Sequence, residues 1–190
     1  MKVLAINGSP RKGGNTEYLL NQVLDPIKKA GIETELVQIG GKPVRGCSAC
    51  YKCWKNKDKR CANKTDLVNK CIEKMIGAQA IILGSPTYFA GPTAEMKALI
   101  DRSGMVARAN DNLFSRKIGC AVVVNRRGGA TNVVDSINNM FLISRMIVPG
   151  STYWNFGVGR EKGEVKNDAE ALANMKDLGE TIAWLIGRLN

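Results

Sequence analysis

The feature that most constrains the fold is an alternation of short apolar runs with amphipathic helical patterns. The apolar runs are typical of strands buried on both faces, whereas between them apolar residues recur at three- and four-residue spacing. The predicted strands are residues 2–7, 33–39, 80–83, 118–124 and a fifth near 147–154. Because parallel strands joined through helices need right-handed crossovers, this order predicts a three-layer α/β sandwich around a five-stranded parallel sheet.

The loops that follow three of these strands are rich in glycine and polar residues. They are residues 8–15, 84–91 and 125–129, whereas the helix-to-strand connections are short and plain. In open α/β sheets, ligands bind beyond the carboxyl ends of the strands. The sequence therefore predicts a binding site at that edge of the sheet.

The length and the apolar content predict one domain spanning residues 1–190. A chain of 190 residues can bury one core of normal size. The apolar run near the N-terminus is too short for a signal peptide and no later run reaches bilayer length, so we expect a cytoplasmic protein that does not bind membranes. Disulfides are rare in the cytoplasm, so a metal or redox role is favoured for the six cysteines.

Charge and histidine content narrow the chemistry. The 28 basic and 17 acidic residues give a net charge of +11, but no helix-turn-helix spacing or RNP-type aromatic motif is present, so we expect no nucleic-acid partner. The chain has no histidine. This excludes histidine triads, histidine general bases and zinc sites that need imidazole, and bond-making chemistry must come from a cofactor or from cysteine.

The first strand-end loop, GSPRKGGNT, has the composition of a phosphate-binding loop. Ser9, Asn15 and Thr16 lie around the start of a predicted helix, and Arg11 and Lys12 add positive charge. The loop lacks both the GxGxxG and the GxxxxGK[ST] patterns, so a monophosphate is favoured over a dinucleotide or a nucleoside triphosphate. An ordinary strand-to-helix turn capped by the Asn-Thr pair is the alternative.

A cysteine-rich segment, residues 45–64, follows the second strand. Its C-x2-C-x2-C-x7-C pattern comprises Cys47, Cys50, Cys53 and Cys61. Three cysteines in one tight run are typical of ferredoxin-type ligation, whereas structural zinc sites pair two separate CxxC knuckles, so the pattern favours one [4Fe-4S] cluster. Cys61 is the least secure ligand because its spacer is long and no proline follows it. Zinc, or a loop of reduced and unligated cysteines, remains an alternative.

The other two cysteines fit the core better than a site. Cys71 falls on the apolar stripe of a predicted helix, and Cys120 lies within the fourth predicted strand. A free cysteine in such a position behaves as a small apolar side chain. We therefore expect both to be buried and inert.

Three motifs taken together resemble the flavodoxin-like NAD(P)H-dependent FMN reductase family. They are GSPRKGGNT after the first strand, GSPTYFAGPTAEMKALIDR after the third and NRRGGAT after the fourth, and the resemblance covers nearly the whole chain. The cysteine cluster is similar to that of the iron-sulfur flavoproteins, which carry FMN and a [4Fe-4S] cluster and move electrons from ferredoxin to small acceptors. The resemblance implies a flavodoxin-like fold with a cysteine-rich insertion, an FMN-dependent oxidoreductase, and a homodimer or homotetramer.

The resemblance also implies which residues bind FMN. The first loop would hold the phosphate, the second would lie along the ribityl chain and the ring, and the third would lie on the other side of the ring. The residues are Ser9, Arg11, Asn15 and Thr16, then Pro86, Thr87, Tyr88 and Phe89, then Asn125, Arg126 and Gly128. Many relatives are glycine-rich in the third loop, where this chain has two arginines.

Some residues of the second and third loops have chemical roles that do not depend on the resemblance. Arg126 or Arg127 can stabilise the reduced flavin anion, or can lie in a solvated turn. Tyr88 and Phe89 can contact the ring, or can pack on the following helix. The flavin carries the chemistry, so no catalytic side chain is expected.

The expected function is electron transfer from a one-electron carrier, through the cluster and FMN, to a small acceptor. An acidic carrier such as ferredoxin is favoured by basic residues in and beside the cysteine-rich segment, which are Lys52, Lys55, Lys57, Lys59, Arg60 and Lys64. Two alternatives stay open. One is a cluster-free reductase of FMN or quinones that takes hydride from NAD(P)H, and the other is a non-enzymatic basic zinc module.

Overall fold

The computed structural model describes residues 1–189, in which strands and helices alternate as predicted. The strands are β1 (Lys2–Asn7), β2 (Glu33–Gln38), β3 (Ala80–Pro86), β4 (Ile118–Asn125) and β5 (Phe156–Val158). The helices are α1 (Asn15–Lys29), α2 (Lys52–Asn56), α3 (Val68–Gly77), α4 (Ala94–Ala109), α5 (Ala130–Ile143) and α6 (Ala169–Leu189), with a 3-10 turn at Glu164–Asn167.

The five strands form one parallel sheet in the order β2-β1-β3-β4-β5. This is the flavodoxin-like order, in which the chain reverses its direction of winding next to the first strand. The predicted fold class is therefore confirmed. The order brings the carboxyl ends of β1, β3 and β4 side by side, and the polar loops of the sequence follow those three strands.

Strands β1, β3 and β4 are buried on both faces, which explains why they read as nearly continuous apolar runs, whereas the edge strand β2 is only partly buried. One face packs under α1 and α6, and the other packs under α3, α4 and α5. Successive strand residues alternate between the two cores, so that Leu4 and Ile6 belong to one and Val3 belongs to the other. Cys71 and Cys120 are each 1% exposed, one in each core, which confirms their predicted burial.

The position of the fifth strand was wrong. The segment predicted near residues 147–154 makes only an isolated parallel bridge, between Ile118 and Ile147, and the strand proper is Phe156–Val158. Pro149 follows two residues after that bridge and has no N–H group to continue a ladder. The chain then loops out, with Tyr153 and Trp154 exposed, and returns to β4 at Phe156.

The start of α1 differs from the capped turn described above. Gly14 is the N-cap of α1, so Asn15 and Thr16 are its first helical residues rather than its caps. Thr93 caps α4, because its side chain accepts a hydrogen bond from Met96 N–H. Among residues 1–189, none of the helices is both long enough and apolar enough to span a bilayer.

Candidate functional site

Loops from the carboxyl ends of the sheet surround a cleft of about 220 Å³, here called the strand-end cleft. Nine of the eleven predicted FMN residues line it: Ser9, Arg11, Asn15, Thr16, Pro86, Thr87, Tyr88, Asn125 and Arg126. Val124, Gly159, Arg160 and Lys162 complete the lining. These residues are far apart in sequence and meet because parallel strands end at the same edge of the sheet.

A second hollow of about 300 Å³ adjoins the first one. It shares Thr87 and Arg126 with the strand-end cleft and adds Phe89 and Gly128, the remaining two predicted residues, together with Arg127. The two hollows reach the size of small-molecule sites, which is ~300–1,000 Å³. The structure therefore brings all eleven predicted residues to one place.

The first loop is held in shape by contacts with neighbouring strands. Gly8 N–H donates to the carbonyl of Gly84 at 2.7 Å, and Ser9 N–H donates to Asn7 Oδ1 at 3.0 Å. The hydroxyl of Thr93, at the start of α4, donates to Gly8 O at 2.8 Å. Since these bonds do not involve a ligand, the loop geometry belongs to the protein itself.

A fourth loop, residues 159–163, also forms part of the cleft and was missed from the sequence. Asn15 holds it, because its amide donates to Glu161 O at 2.8 Å and accepts from Gly163 N–H at 2.7 Å. The Arg11 guanidinium donates to Arg160 O at 2.9 Å. The signal for this loop was the glycine-flanked charged stretch GREKG after the last strand, which was hidden by the misplaced prediction of that strand. Asn15 thus positions a loop as well as lining the cleft.

Thr87 offers the cleft an unused polar group. Its N–H donates to Val124 O at 2.8 Å, whereas its buried Oγ1 has no hydrogen-bond partner among the described residues. Leaving a buried polar group unpaired costs ~1–3 kcal/mol. Thr87 lines both hollows, so a polar group of a bound ligand is a suitable partner for this hydroxyl.

The Asn125 side chain orders the third loop. In the amide orientation that satisfies both of its ends, its nitrogen donates to Gly157 O at 3.2 Å and its oxygen accepts from Gly128 N–H at 3.0 Å. Asn125 therefore ties β5 and the loop after β4 together beneath the cleft. Arg126 and Arg127 next to it are exposed.

The turn Tyr88–Gly91 projects Phe89 outward. Two hydrogen bonds of 2.9 Å join Tyr88 and Gly91, and the two residues between them, Phe89 and Ala90, both have positive φ angles of 48° and 59°. Bulky residues rarely adopt this conformation, and such strain is concentrated at functional sites. Phe89 is fully exposed at the rim of the second hollow, so it does not pack on the following helix.

The two hollows are strongly basic. Arg11, Arg126, Arg160, Lys162 and Arg127 line them, and no acidic side chain is present among the lining residues that the structure describes. The N-terminus of α1 adds its positive dipole end beside Arg11. Arg160 is paired with Glu161 at 3.2 Å, but Arg11, Arg126, Arg127 and Lys162 still leave a positive field that favours an anionic ligand such as a phosphate.

A separate hollow of about 600 Å³, here called the cysteine cavity, lies between the cysteine-rich segment and α4. The predicted ligands Cys47, Cys50, Cys53 and Cys61 all line it. The other lining residues are Arg45, Gly46, Ser48, Ala49, Tyr51, Ala62, Asn63, Arg102, Met105 and Val106. Cys53 lies in α2, and the long spacer after it returns the chain to the cavity at Cys61.

The four cysteine residues line this space, but their side chains do not gather around one point. Within residues 1–189, no three cysteine or acidic side chains are gathered closely enough to hold a single metal ion. A tetrahedral zinc ion needs four sulfurs at ~2.3 Å from one centre. A four-iron cluster instead binds each thiolate through a different iron, so a wider ring of soft donors fits it better.

The cysteines of this ring differ in their acidity. A hydrogen bond from the Lys52 N–H lowers the pKa of the exposed Cys50 thiol, whereas burial raises the pKa of Cys53. Burial also raises the pKa of Cys71 to about 11, in the core outside the cavity. Metal ligands must be thiolates, so Cys50 is closer to its ligating form than Cys53.

A buried ion pair that was not predicted from the sequence lies behind the cysteine cavity. The side chains of Arg102 on α4 and Asp66 before α3 are 0% and 2% exposed and lie 2.5 Å apart. Burial acts to raise the pKa of Asp66, but hydrogen bonds from Arg102, Arg45 N–H and Val68 N–H outweigh it and hold that pKa below its usual value. The signal was an arginine at an apolar helix position, the last residue of the GPTAEMKALIDR motif.

The cleft and the cavity are distinct sites, and they share no lining residue. Helix α4 connects them, since Thr93 at its start contacts the first loop and Arg102 lines the cavity. Nine residues of helix correspond to ~13 Å along its axis. The chain therefore presents two candidate centres on one rigid helix.

Comparison with protein families decides what kind of protein this is. Residues 1–161 match the family described as NADPH-dependent FMN reductase. The chain belongs to the NADPH-dependent FMN reductase family. The predicted membership is thus confirmed, and the match covers the three strand-end motifs together with the cysteine-rich segment.

Several proteins similar to this FMN reductase family member are named iron-sulfur flavoproteins. An iron-sulfur flavoprotein of Methanocaldococcus jannaschii is 39% identical over 193 residues, which cover 98% of this chain and 97% of that protein. An iron-sulfur flavoprotein of Archaeoglobus fulgidus is 34% identical, with 96% and 94% covered. The predicted branch within the family is therefore confirmed as well.

A solved structure supports the fold. A flavodoxin from the domain Archaea superposes with a TM-score of 0.64 over 98% of this chain and 99% of that one, at 16% sequence identity. At this identity the likeness concerns the fold alone. The family membership makes this flavodoxin-like chain an FMN-dependent oxidoreductase, in contrast to the non-enzymatic zinc module that the sequence left open.

Proposed function

We propose that this FMN-dependent oxidoreductase is a two-centre electron-transfer protein. FMN binds in the strand-end cleft, and one [4Fe-4S] cluster is bound by Cys47, Cys50, Cys53 and Cys61. An acidic one-electron carrier of the ferredoxin type supplies electrons, and a small molecule accepts them. The observation that carries the proposal is that four cysteines with ferredoxin-type spacing line a single cavity, apart from the cleft.

Residues of the chain provide each part of the flavin site. Arg11, Arg160 and Lys162 supply charge for the phosphate at the start of α1. Thr87 supplies its unpaired hydroxyl, and Arg126 lies where both hollows meet. The bound flavin accepts one or two electrons, which lets a one-electron donor drive a two-electron reduction.

The proposed donor surface surrounds the cysteine cavity. Lys52, Lys55, Lys57, Lys59, Arg60 and Lys64 are all exposed. Asp58 is the one acidic residue in the segment, and Arg60 pairs with Glu73 at 3.6 Å. The remaining charge would steer an acidic carrier toward the cavity and raise the association rate at low salt.

Analysis of anaerobically purified protein tests the two-centre proposal. We expect about four iron and four sulfide per chain, from the ligand count of one cluster, together with bound FMN. Stoichiometric zinc without sulfide would sink the cluster and leave the segment with a structural role. Protein that takes up neither metal nor sulfide would support the loop of reduced cysteines.

Charge reversal tests the donor. The Lys55→Glu/Lys57→Glu variant should be reduced more slowly by an acidic ferredoxin without losing iron, and the rate for the parent should fall as ionic strength rises from about 0.01 to 0.5 M. A matched control, Lys29→Glu/Arg188→Glu, changes net charge equally at exposed positions outside the segment. Equal slowing by both double variants would mean that net charge, rather than a docking surface, sets the rate.

The second candidate function is direct reduction of FMN by NAD(P)H without a cluster. It is favoured by the description of the family as NADPH-dependent and by the second hollow, where Arg126 and Arg127 lie beside the exposed Phe89. In this reading hydride from the nicotinamide reaches the flavin directly. Rapid reduction by NADPH that is unchanged in a Cys50→Ala variant, together with no response to ferredoxin, would establish this function instead.

A further inference from the structure

We propose that Arg102 is a positioning residue for the metal site, which holds Cys61 as the fourth ligand and donates a hydrogen bond to its sulfur that raises the reduction potential of the bound cluster. The inference rests on the proposed function of the cysteine cavity. It concerns a residue of α4, which lies outside the cysteine-rich segment and has no place in the cysteine pattern.

The contacts of Arg102 carry the proposal. Its Nε–H donates to Cys61 Sγ at 3.3 Å, its Nη1 donates to Arg45 O at 3.0 Å and its Nη2 donates to Asn63 O at 3.0 Å. Nη1 also donates to Asp66 Oδ2 at 2.5 Å. A single buried guanidinium therefore contacts both ends of the cysteine-rich segment and one of its sulfurs.

Asp66, the ion-pair partner of Arg102, accepts hydrogen bonds from two backbone N–H groups. Its Oδ2 accepts Arg45 N–H at 3.2 Å, and its Oδ1 accepts Val68 N–H at 3.1 Å at the start of α3. The Arg102–Asp66 pair thus contacts the chain at Arg45, where the segment begins, and at Asp66, two residues after it ends. The fork of an arginine suits this role, because a lysine ammonium has no rigid set of donors.

Cys61 is held more firmly than its sequence spacing indicates. Its N–H donates to Asn69 Oδ1 at 2.8 Å, and the Asn69 amide donates back to Cys61 O at 2.9 Å. The Arg102 contact fixes the sulfur in addition to this backbone pair. The long spacer therefore ends at an immobilised thiol, which is what a fourth ligand needs.

The direction of the effect on potential follows from charge. Reduction adds negative charge to the cluster and its thiolate sulfurs, and hydrogen bonds to those sulfurs stabilise the added charge. Asp66 neutralises the net charge of the guanidinium at a distance, but the Nε–H remains directed at the sulfur. Removal of this donor should therefore lower the midpoint potential.

Two variants separate the two proposed effects of Arg102, which are to hold Cys61 in place and to raise the reduction potential of the cluster. Arg102→Lys keeps a cation opposite Asp66 but loses the donor to sulfur. Arg102→Gln/Asp66→Asn removes both buried charges together, so that neither is left unpaired. Arg108→Gln is the matched control, since Arg108 is exposed on the same helix.

The first measurement is iron retention by anaerobic holoprotein challenged with a ferrous-iron chelator. We expect the neutral double variant to retain iron about 10- to 100-fold less well, the usual effect of losing a partner that orients a ligand. Arg102→Lys should retain more iron than the double variant because it keeps the ion pair. The Arg108→Gln control should match the parent.

The second measurement is the midpoint potential of the cluster, from a redox titration followed by electron paramagnetic resonance. We expect lower potentials for both Arg102 variants, with the FMN potential and FMN content unchanged. Parent-like iron retention and parent-like potential in Arg102→Lys would overturn the proposal, and so would weaker retention at an unchanged potential, since that makes Arg102 only a brace. Should the double variant fail to fold, Arg102→Lys decides the question alone.

These results also separate this inference from the function it depends on. Parent protein without iron and sulfide would contradict the cluster itself. Parent protein with a cluster, whose retention and potential do not respond to Arg102, would leave the cluster in place and remove the role of the arginine.

Discussion

The strand-end cleft and the cysteine cavity are built in opposite ways. The cleft is assembled from four loops that are up to about 150 residues apart in sequence, such as those of Asn15 and Gly163, and the sheet order brings them together. The cavity is formed mainly by one contiguous segment packed on α4. A site made of distant loops takes its shape from the fold, whereas a site made of one segment needs its own anchors.

The buried polar groups reflect this difference. Those around the cleft are neutral, as with Asn7, which donates to Gln38 on β2, and Ser9, whose hydroxyl accepts from Arg11 N–H within the first loop. The cysteine-rich segment depends on the buried Arg102–Asp66 pair instead. Since breaking such a pair leaves an uncompensated charge, the cavity should respond to mutation and to acid in ways that the cleft does not.

The largest expected effect is the loss of iron and sulfide from the cysteine cavity without loss of FMN from the strand-end cleft. Cys50→Ala or Cys53→Ala should abolish iron and sulfide binding while FMN stays bound, because the cleft and the cavity share no lining residue. Iron, sulfide and flavin analysis of anaerobic protein measures this. Cys120→Ala, which alters a buried cysteine in the other core, should keep all three. Loss of FMN together with iron would show that the two sites are coupled.

The next effect tests the anchor of the cysteine-rich segment. Asp66→Asn should destabilise metal-free protein at pH 7 by ~3–5 kcal/mol, measured by urea unfolding, since it leaves Arg102 buried and unpaired. Asp101→Asn, which removes a partly exposed ion pair with Lys97 on the same helix, should cost less than ~1 kcal/mol.

The free energy of unfolding that Asp66→Asn removes should depend on pH in a direction set by the pKa of Asp66. The pKa of Asp66 is lower in the folded protein than in the unfolded chain, so its stabilisation is complete above the unfolded pKa, ~3.9. It is lost as pH falls through the lower folded pKa. The gap between the parent and Asp66→Asn should therefore close in acid, and a gap that stays constant down to the folded pKa would contradict the assignment.

A smaller effect concerns the phosphate end of the cleft. Arg11→Ala and Asn15→Ala should each weaken FMN binding by ~1–3 kcal/mol, Arg11 through lost charge and Asn15 through release of residues 159–163. Fluorescence titration measures the affinity. Riboflavin is the control, because it lacks the phosphate and its binding should change less. Unchanged FMN affinity in both variants would refute the phosphate assignment.

The smallest effect uses the unpaired hydroxyl of Thr87. Thr87→Val keeps the shape of the side chain and removes a group without a protein partner, so FMN-free protein should melt at the same temperature or higher. FMN affinity should fall by ~0.5–1.5 kcal/mol, the net contribution of one hydrogen bond. If stability falls and affinity does not change, the hydroxyl serves the fold rather than the ligand.

Sequence reasoning succeeded where a local pattern has one three-dimensional outcome. Apolar runs such as Val3–Ile6 lie in a sheet buried on both faces, and the loops after β1, β3 and β4 necessarily meet at its carboxyl edge. It failed at the fifth strand, because the apolar stretch before Pro149 resembles a strand and only pairing with β4 shows which residues are used.

What the sequence by itself determined is therefore the alternating architecture, the three polar loops and the four-cysteine spacing, since each depends on residues close together in the chain. The tertiary structure alone decided that residues 159–163 complete the cleft and that Arg102 reaches Cys61 from 41 positions away. An arginine at an apolar helix position suggests a buried charge, but the sequence pattern does not show which groups are its partners. Its role appears only when packing removes water and leaves a sulfur, a carboxylate and two carbonyls as its partners.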